Sequence, residues 1–107
     1  MSSEDKRIKL RDKFREILGN NNTYFNPPES TKLEYPCIVY NLKNMRTRKA
    51  NNNIYILDNI YTVILIGIKP YDDIKEKILE KIPYCSFDRT YIKDGLYHYA
   101  YTIYDNL

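Results

Sequence analysis

The chain is poor in the residues that build common catalytic and ligand-binding sites. Its 107 residues include three glycines, two cysteines and one histidine. Gly19, Gly67 and Gly95 are widely separated, whereas a loop that cradles phosphate needs its glycines close together. The sequence therefore offers no phosphate-binding loop.

The histidine and the cysteines do not form a recognisable site. Cys37 and Cys85 lack a C-x-x-C spacing and have only His98 as a further ligand, so neither zinc nor a redox pair is indicated. Asp88 could face His98 across the predicted C-terminal hairpin, but such pairs are more typical of a surface contact than of catalysis. Cys85 follows a predicted helix C-terminus, whereas a reactive thiol needs a cation or a helix start. We expect no enzyme activity, and two reduced thiols that pack as small apolar side chains.

Long apolar runs and strong charge are also missing. No run approaches the ~20 residues of a membrane span, and the first residues lack the apolar segment and cleavage site of a secretory signal. The net charge of +3 is mild for a domain that grips duplex nucleic acid. Asp72 and Asp73 lack a metal-loop spacing and are predicted to cap a helix. We expect one domain, residues 1–107, with no cofactor, no metal site and no membrane contact.

Apolar periodicity in the chain predicts an α+β fold. A first helix carries one apolar stripe and stops at Gly19, and asparagines and prolines mark residues 20–30 as loop. The predicted elements are a helix at about 3–18, strands at about 36–42 and 59–68, a helix at about 72–82, and a hairpin at about 84–104. They indicate a mostly antiparallel four-stranded sheet with two helices packed on it.

A polar, basic segment between the first two strands is predicted to form a long hairpin arm. It breaks the strand pattern after residue 42 and ends in three asparagines, which indicates exposure. The residues that we expect at an assembly interface are Lys43, Arg46, Arg48, Lys49, Asn51, Asn52 and Tyr55. Solvated charge on a loop is the plainer explanation of the same cluster.

The predicted strand at 59–68 is apolar on both faces. Isoleucines lie on one side, and Tyr61, Val63 and Leu65 lie on the other. Helices can cover one face of a sheet, so the other face needs a further element of this chain or a neighbouring subunit.

The register of the C-terminal hairpin depends on its loop. A two-residue loop, Asp94-Gly95, mixes polar and apolar residues on both faces, whereas a three-residue loop, 93–95, separates them. Because register follows the buried face, we predict the three-residue loop. It would place Cys85, Phe87, Arg89 and Tyr91 on one face with Tyr97, Tyr99, Tyr101 and Ile103, and Ser86, Asp88 and Thr90 on the other face with His98, Ala100 and Thr102.

About two thirds of the chain resembles the tail terminator family of long-tailed bacteriophages, also called tail completion or minor tail proteins. The similar segments are Tyr35-Pro36-Cys37-Ile38-Val39-Tyr40, Ala50-Asn51-Asn52 before Tyr55, Tyr61 with Val63, and residues 78–83, 85–89, 94–98 and 102–104. Relatives have Ala-Asp-Asn at the second of these, so Asn51 departs from the pattern by removing a carboxylate.

The resemblance implies a structural virion protein rather than an enzyme. Members of the family form a ring, usually a hexamer, that caps the finished tail tube, ends its polymerisation and joins it to the head connector. The implied partners are further copies of the chain, the tail tube protein and the head-tail connector or stopper protein. The resemblance also implies that phage DNA passes through the lumen without sequence-specific binding. The implied location is the tail or neck of the virion, and the host cytoplasm during assembly.

Two other functions remain open at this level. A small nucleic-acid-binding module could use the basic arm and the tyrosine-rich sheet face, with phosphates on the cations and bases on the rings. A head-side joining protein of the same junction is a closer alternative. A hydrolase has the least support, since no residue set resembles a catalytic site.

Overall fold

The protein forms a five-stranded sheet with two helices. The computed structural model describes residues 3–50 and 53–106, with side chains for 4–46 and 58–105. The elements are α1 (Ser3–Leu18), β1 (Thr23–Phe25), β2 (Cys37–Ala50), β3 (Asn53–Gly67), α2 (Asp72–Lys81), β4 (Cys85–Lys93) and β5 (Leu96–Asn106). The strand order across the sheet is β1-β2-β3-β5-β4. The predicted α+β class is confirmed, but the predicted sheet of four strands is wrong, because a fifth strand joins it in parallel.

Helix α1 covers the span predicted from its apolar stripe. Glu4 and Asp5 lie in its first turn, where carboxylates favour the positive end of the helix dipole. The helix ends before Gly19, which has a left-handed backbone (φ +76°) and donates its N–H to the carbonyl of Arg15 (2.9 Å). The stripe that faces the sheet consists of Leu10, Phe14, Ile17 and Leu18, all buried.

Strand β1 was not predicted and lies inside the segment expected to be a loop. Its three residues pair in parallel with β2, from Thr23 opposite Ile38 to Phe25 opposite Tyr40. Arg15 holds it to α1 by donating from Nε to Thr23 Oγ1 (3.0 Å), and the guanidinium of Arg7 lies 4.5 Å from the ring centre of Phe25. Tertiary contacts therefore fix a strand that is too short to show a periodic pattern.

Strands β2 and β3 form a hairpin that is much longer than the predicted strands. Pairing continues from Cys37 opposite Ile66 to Ala50 opposite Asn53, through the segment expected to break the strand pattern. Two irregularities interrupt it, at Leu42/Asn44 and at Arg48/Lys49. Backbone pairing between neighbouring strands needs no alternation of apolar side chains, so the polar sequence concealed it.

Helix α2 begins at Asp72 and ends at Lys81. Tyr71 occupies the N-cap position without a side-chain hydrogen bond, so the expected capping by Asp72 or Asp73 is wrong. Both acids lie within the first turn, where they still favour the helix dipole. Ile78 and Ile82 bury the inner face of this element.

The C-terminal hairpin turns through two residues and not through the predicted three. Lys93 pairs with Leu96, and both Asp94 (φ +53°) and Gly95 (φ +74°) have positive φ angles, as in a type I′ turn. A bulge then shifts the register between Phe87 and Arg89. Residues 89–93 of β4 therefore follow the register set by the two-residue turn, whereas residues 85–87 follow the predicted register.

The bulge moves half of the strand to the face opposite to the predicted one. Cys85 and Phe87 pair with Ile103 and Tyr101, as expected. Tyr91, however, pairs with His98 on the face away from the helices, where the two rings stack with centroids 4.7 Å apart. Arg89 is exposed on this outer face and lies over Tyr91 (5.1 Å), so it does not enter the core.

The core lies between the two helices and one face of the sheet, the helix-covered face. This face contributes Ile38, Tyr40, Tyr61, Val63, Leu65, Tyr99, Tyr101 and Ile103 to the core cluster. The isoleucines of β3 whose side chains are described lie on the outer face, as the alternation predicted, and Ile60 (8% exposed) and Ile66 (7% exposed) are buried there. Ile68 follows the end of the strand and is 64% exposed. No helix among the described residues packs on the outer face.

Candidate assembly surfaces

Five of the seven predicted interface residues lie in the two strands of the β2–β3 hairpin. Lys43 is exposed at the first irregularity of β2, and Arg46 lies three residues further along. Arg48 and Lys49 continue β2, and Tyr55 lies in β3, but their side chains are outside the described set. Asn51 and Asn52 lie outside the described residues.

Arg46 anchors the base of this hairpin to the sheet. Its Nη2 atom lies 3.3 Å from Oδ2 of Asp58, the residue directly opposite on β3. The side chain of Asp58 is 2% exposed, whereas that of Arg46 is 57% exposed. The guanidinium also lies 5.6 Å from the ring centre of Tyr104 on β5. Arg46, which was predicted as an interface residue, therefore also has a structural role, because its contacts with Asp58 and Tyr104 hold the base of the hairpin to the sheet.

The sheet has an open edge along the second half of β2. Strand β1 pairs only as far as Tyr40, so residues 41–50 have no described strand on that side. Leu42 (44% exposed) and Met45 (51% exposed) present apolar side chains on this edge. The N–H of Met45 donates to Oδ1 of Asn44 (2.8 Å), so this amide is satisfied locally.

Strand β4 forms the opposite open edge, and its apolar side chains are also exposed. Phe87 is 40% exposed although its ring packs against Tyr101 with centroids 5.4 Å apart. Ile92 is 65% exposed, and Leu79 on the adjacent α2 is 40% exposed. Sequence reasoning missed both edges, because an edge is defined by strand order and not by composition.

A groove of about 310 Å³ lies between α1, the end of α2 and the end of β5. One wall carries Lys6, Lys9 and Lys13, which recur on one flank of α1, and the floor includes Leu10 and Ile103. Burial raises the pKa of Asp105, which also lines the groove, and the nearby Lys6 and Lys13 partly offset that rise.

The structure does not bring His98 and Asp88 together as a catalytic pair. The Nδ1 atom of His98 lies 3.0 Å from the carbonyl oxygen of Leu96, and Asp88 accepts a hydrogen bond from Oγ1 of Thr102 (2.7 Å). Each side chain is thus engaged with a different partner. Their arrangement supplies neither an acid that orients an imidazole nor a nucleophile beside it.

Both thiols have pKa values that oppose reactivity. Burial raises the pKa of Cys37 to about 12, and it raises the pKa of Cys85 to about 11 with a further contribution from Asp88. A thiol nucleophile needs a lowered pKa instead. Cys37 is fully buried and Cys85 packs against the core cluster, which is the environment of a small apolar side chain.

Within the described residues no group of three metal-ligating side chains converges. The described helices are also too short or too polar to cross a membrane.

Comparison with known proteins supplies no family for this chain. No protein-family model matches the sequence, and a search of curated proteins gives no significant match. The structural features that bear on function are the β2–β3 hairpin, the two open edges and the groove.

Proposed function

We propose that the protein is a structural component of a bacteriophage tail. Copies of the chain form a ring, a hexamer, that caps the finished tail tube, stops its polymerisation and joins it to the head connector or stopper protein. Phage DNA passes through the lumen without sequence-specific contacts. The protein assembles in the host cytoplasm and ends in the neck of the virion.

The main observation in support of this proposal is that the β2–β3 hairpin extends beyond the other strands of the sheet. The last described pair between β3 and β5 is Asp58 with Asn106, so the hairpin beyond Arg46 and Asp58 has only its own two strands. The described molecule is correspondingly elongated, with a long axis of 51 Å and shorter axes of 29 and 23 Å. An isolated two-stranded ribbon is marginally stable in water. We infer that this basic arm is held in the assembly by a neighbouring subunit or by the tail tube.

Two further features support a ring. On the outer face Tyr104 is 39% exposed with no described helix over it, and both open edges expose apolar side chains. A ring repeats one contact between two different surfaces until the rotation closes, which shelters such surfaces in every copy.

The competing function, nucleic-acid binding through a tyrosine-rich sheet face, has no support from the four tyrosines of the helix-covered face. Tyr40, Tyr61, Tyr99 and Tyr101 are each at most 5% exposed and belong to the core cluster. A base can stack only on a ring whose face is accessible. The basic arm alone supports a salt-sensitive contact with phosphates, and filter binding of single-stranded DNA at low and high salt measures that contact directly.

The proposal is tested by shortening the arm at its base. Residues 47–57 are replaced by Asn-Gly, which suits a two-residue turn between Arg46 and Asp58, directly opposite in the hairpin. The core and the Arg46–Asp58 pair remain, so we expect an unchanged circular dichroism spectrum. We also expect tails of abnormal length, seen by electron microscopy, and a loss of infectious particles.

The matched control keeps the full length of the arm. Thr47→Ser keeps every residue predicted at the interface and should support normal tails. Infectious particles with tails of normal length from the shortened variant would rule out the proposed role of the arm.

A further inference from the structure

We propose that the copies in the ring are joined through their sheet edges. Strand β4 of one copy pairs antiparallel with the open edge of β2, residues 41–46, in the next copy. The sheet then runs from copy to copy around the ring. This inference rests on the proposed function, and it names the surfaces that close the ring.

The two edges are complementary in direction. Strand β2 is antiparallel to β3, β3 is antiparallel to β5, and β5 is antiparallel to β4. Strands β2 and β4 therefore run in opposite directions at the two ends of one sheet. Rotation about an axis along the strands preserves these directions, so β4 meets the next β2 as an antiparallel neighbour. Antiparallel strands pair through bonds perpendicular to the strands.

The side chains of the two edges lie on the same face. Leu42 pairs with Tyr61 and Met45 pairs with Asn59, both on the helix-covered face. Phe87 pairs with Tyr101 and Ile92 pairs with Tyr97, again on that face. Edge pairing therefore places the exposed apolar side chains of one copy beside those of the next and extends the core across the junction. Removal of this apolar surface from water favours the contact.

Each edge also has an amide that its own sheet does not use. In a hairpin with a two-residue turn, the residues that flank the turn, here Lys93 and Leu96, exchange backbone hydrogen bonds. The next pair, Ile92 with Tyr97, is then a pair without hydrogen bonds between its two residues. The N–H of Ile92 therefore points away from β5, toward the open edge. On β2 the N–H of Met45 is bonded to the Asn44 side chain. That side chain protects the edge in a lone copy and can release the amide to a neighbouring strand.

The irregularities of both edges restrict the pairing to one partner. Strand β2 is irregular at Leu42/Asn44, and β4 is irregular at Phe87/Arg89. Bulges and edge cations such as Lys93 discourage indiscriminate strand addition. A foreign strand that adds to either edge meets the irregularity of that edge, which interrupts continuous pairing.

The test blocks one edge at a time with proline. Ile92→Pro removes the outward amide of β4, and Met45→Pro removes the amide at the open edge of β2. Proline is tolerated on an edge strand when its position faces away from the sheet. Ile92→Val and Met45→Leu are the matched controls, because they keep the amide and an apolar side chain. Mass is measured by light scattering after size exclusion, and circular dichroism verifies the fold.

A head-to-tail contact gives a distinctive result on mixing. Each proline variant alone should fall from the ring to the 12.9 kDa chain mass. An equimolar mixture of the two retains one intact pair of edges, so it should form a dimer of twice that mass and nothing larger. The control variants should form rings like the wild type. If a proline variant fails to fold, Ile92→Lys or Met45→Lys replaces it, since an edge lysine blocks pairing and keeps the amide.

The outcomes separate this inference from the function on which it rests. Rings that persist in both blocked variants, or a Met45→Pro variant that dimerises alone through β4, overturn edge pairing and leave the ring standing. A wild-type chain that stays at 12.9 kDa, even with tail tubes present, overturns the ring itself.

Discussion

Cys37 and Cys85 show how the fold treats side chains that could be reactive. Cys85 on β4 is partly buried on the helix-covered face near Tyr101, and Cys37 on β2 is fully buried. Burial disfavours the thiolate, which explains the direction of both pKa shifts. The thiols therefore act as packing groups at neutral pH.

This state predicts slow reaction of both thiols with a disulfide reagent. With pKa values of about 12 for Cys37 and 11 for Cys85, the thiolate fraction at pH 8 is smaller than in the unfolded chain. The expected slowing is roughly 10³-fold and 10²-fold respectively, and the native rate should rise about tenfold per pH unit below the pKa. Absorbance after addition of Ellman's reagent, with and without urea, measures the difference.

Single-cysteine variants assign the two rates. Cys37→Ala leaves Cys85 alone, and Cys85→Ala leaves Cys37 alone. A thiol that reacts as fast in the native protein as in urea contradicts its placement.

At the scale of elements, the C-terminal hairpin depends on its turn. Asp94 has a left-handed backbone although it carries a side chain, and a type I′ turn requires this at both central positions. In a three-residue loop Asp94 would instead have a negative φ angle. The two loops thus make opposite demands on one residue.

Substitution of Asp94 distinguishes the two loops. Asp94→Ala should lower the free energy of unfolding by about 1 kcal/mol, because alanine resists the left-handed region. Asp94→Gly is the matched control and should lose little, since glycine adopts that region freely. Urea unfolding of both variants measures the difference. Equal stability of the alanine and glycine variants would show that Asp94 does not occupy the left-handed region.

Elements with a strong periodic signal could be predicted from the sequence, and the others could not. The apolar stripe ending at Gly19 locates α1, because a helix face is encoded within a few consecutive turns. Strand β1 depends on Arg7, Arg15 and the edge of β2, which lie elsewhere in the chain. The bulge near Asp88 reconciles a favourable turn with the packing of Phe87, and reasoning from one uniform register could not find it.

Of the candidate surfaces, the basic segment could be predicted from the sequence, whereas the open edges of the sheet could not. Charge and asparagine content located the basic segment of the β2–β3 hairpin, because composition reports exposure. The edge residues Met45 and Ile92 could not be recognised, because an apolar residue in a strand looks the same at an edge and in the centre. Strand order has to be known first.

At the scale of the whole molecule, the core and the exposed surfaces have different roles. Five buried groups resist ionisation, because burial raises the pKa of each one. They are Cys37, Tyr40, Tyr61, Cys85 and Tyr101. Three of the five lie on the strands that carry the open edges, Cys37 and Tyr40 on β2 and Cys85 on β4, and Tyr61 and Tyr101 lie on the two strands between them. The pairing surfaces are therefore only as stable as this uncharged core.

This arrangement predicts that the fold weakens in alkali. In the unfolded chain the thiols titrate near pH 8.5 and the tyrosines near pH 10, and all five native values are higher. Between these limits the unfolded state binds fewer protons than the native state, so the free energy of unfolding must fall as the pH rises. The stabilisation is complete below about pH 8 and is lost through the native pKa values, with a slope of up to ~1.4 kcal/mol per pH unit for each group.

Urea unfolding at pH 7.5, 9 and 10, at one protein concentration, measures this decline. The control is the double variant Cys37→Ala, Cys85→Ala, which lacks the two thiols. Its decline should begin near the tyrosine range, about one pH unit later than in the wild type. A wild-type free energy that stays constant to pH 10 would contradict the burial of these groups.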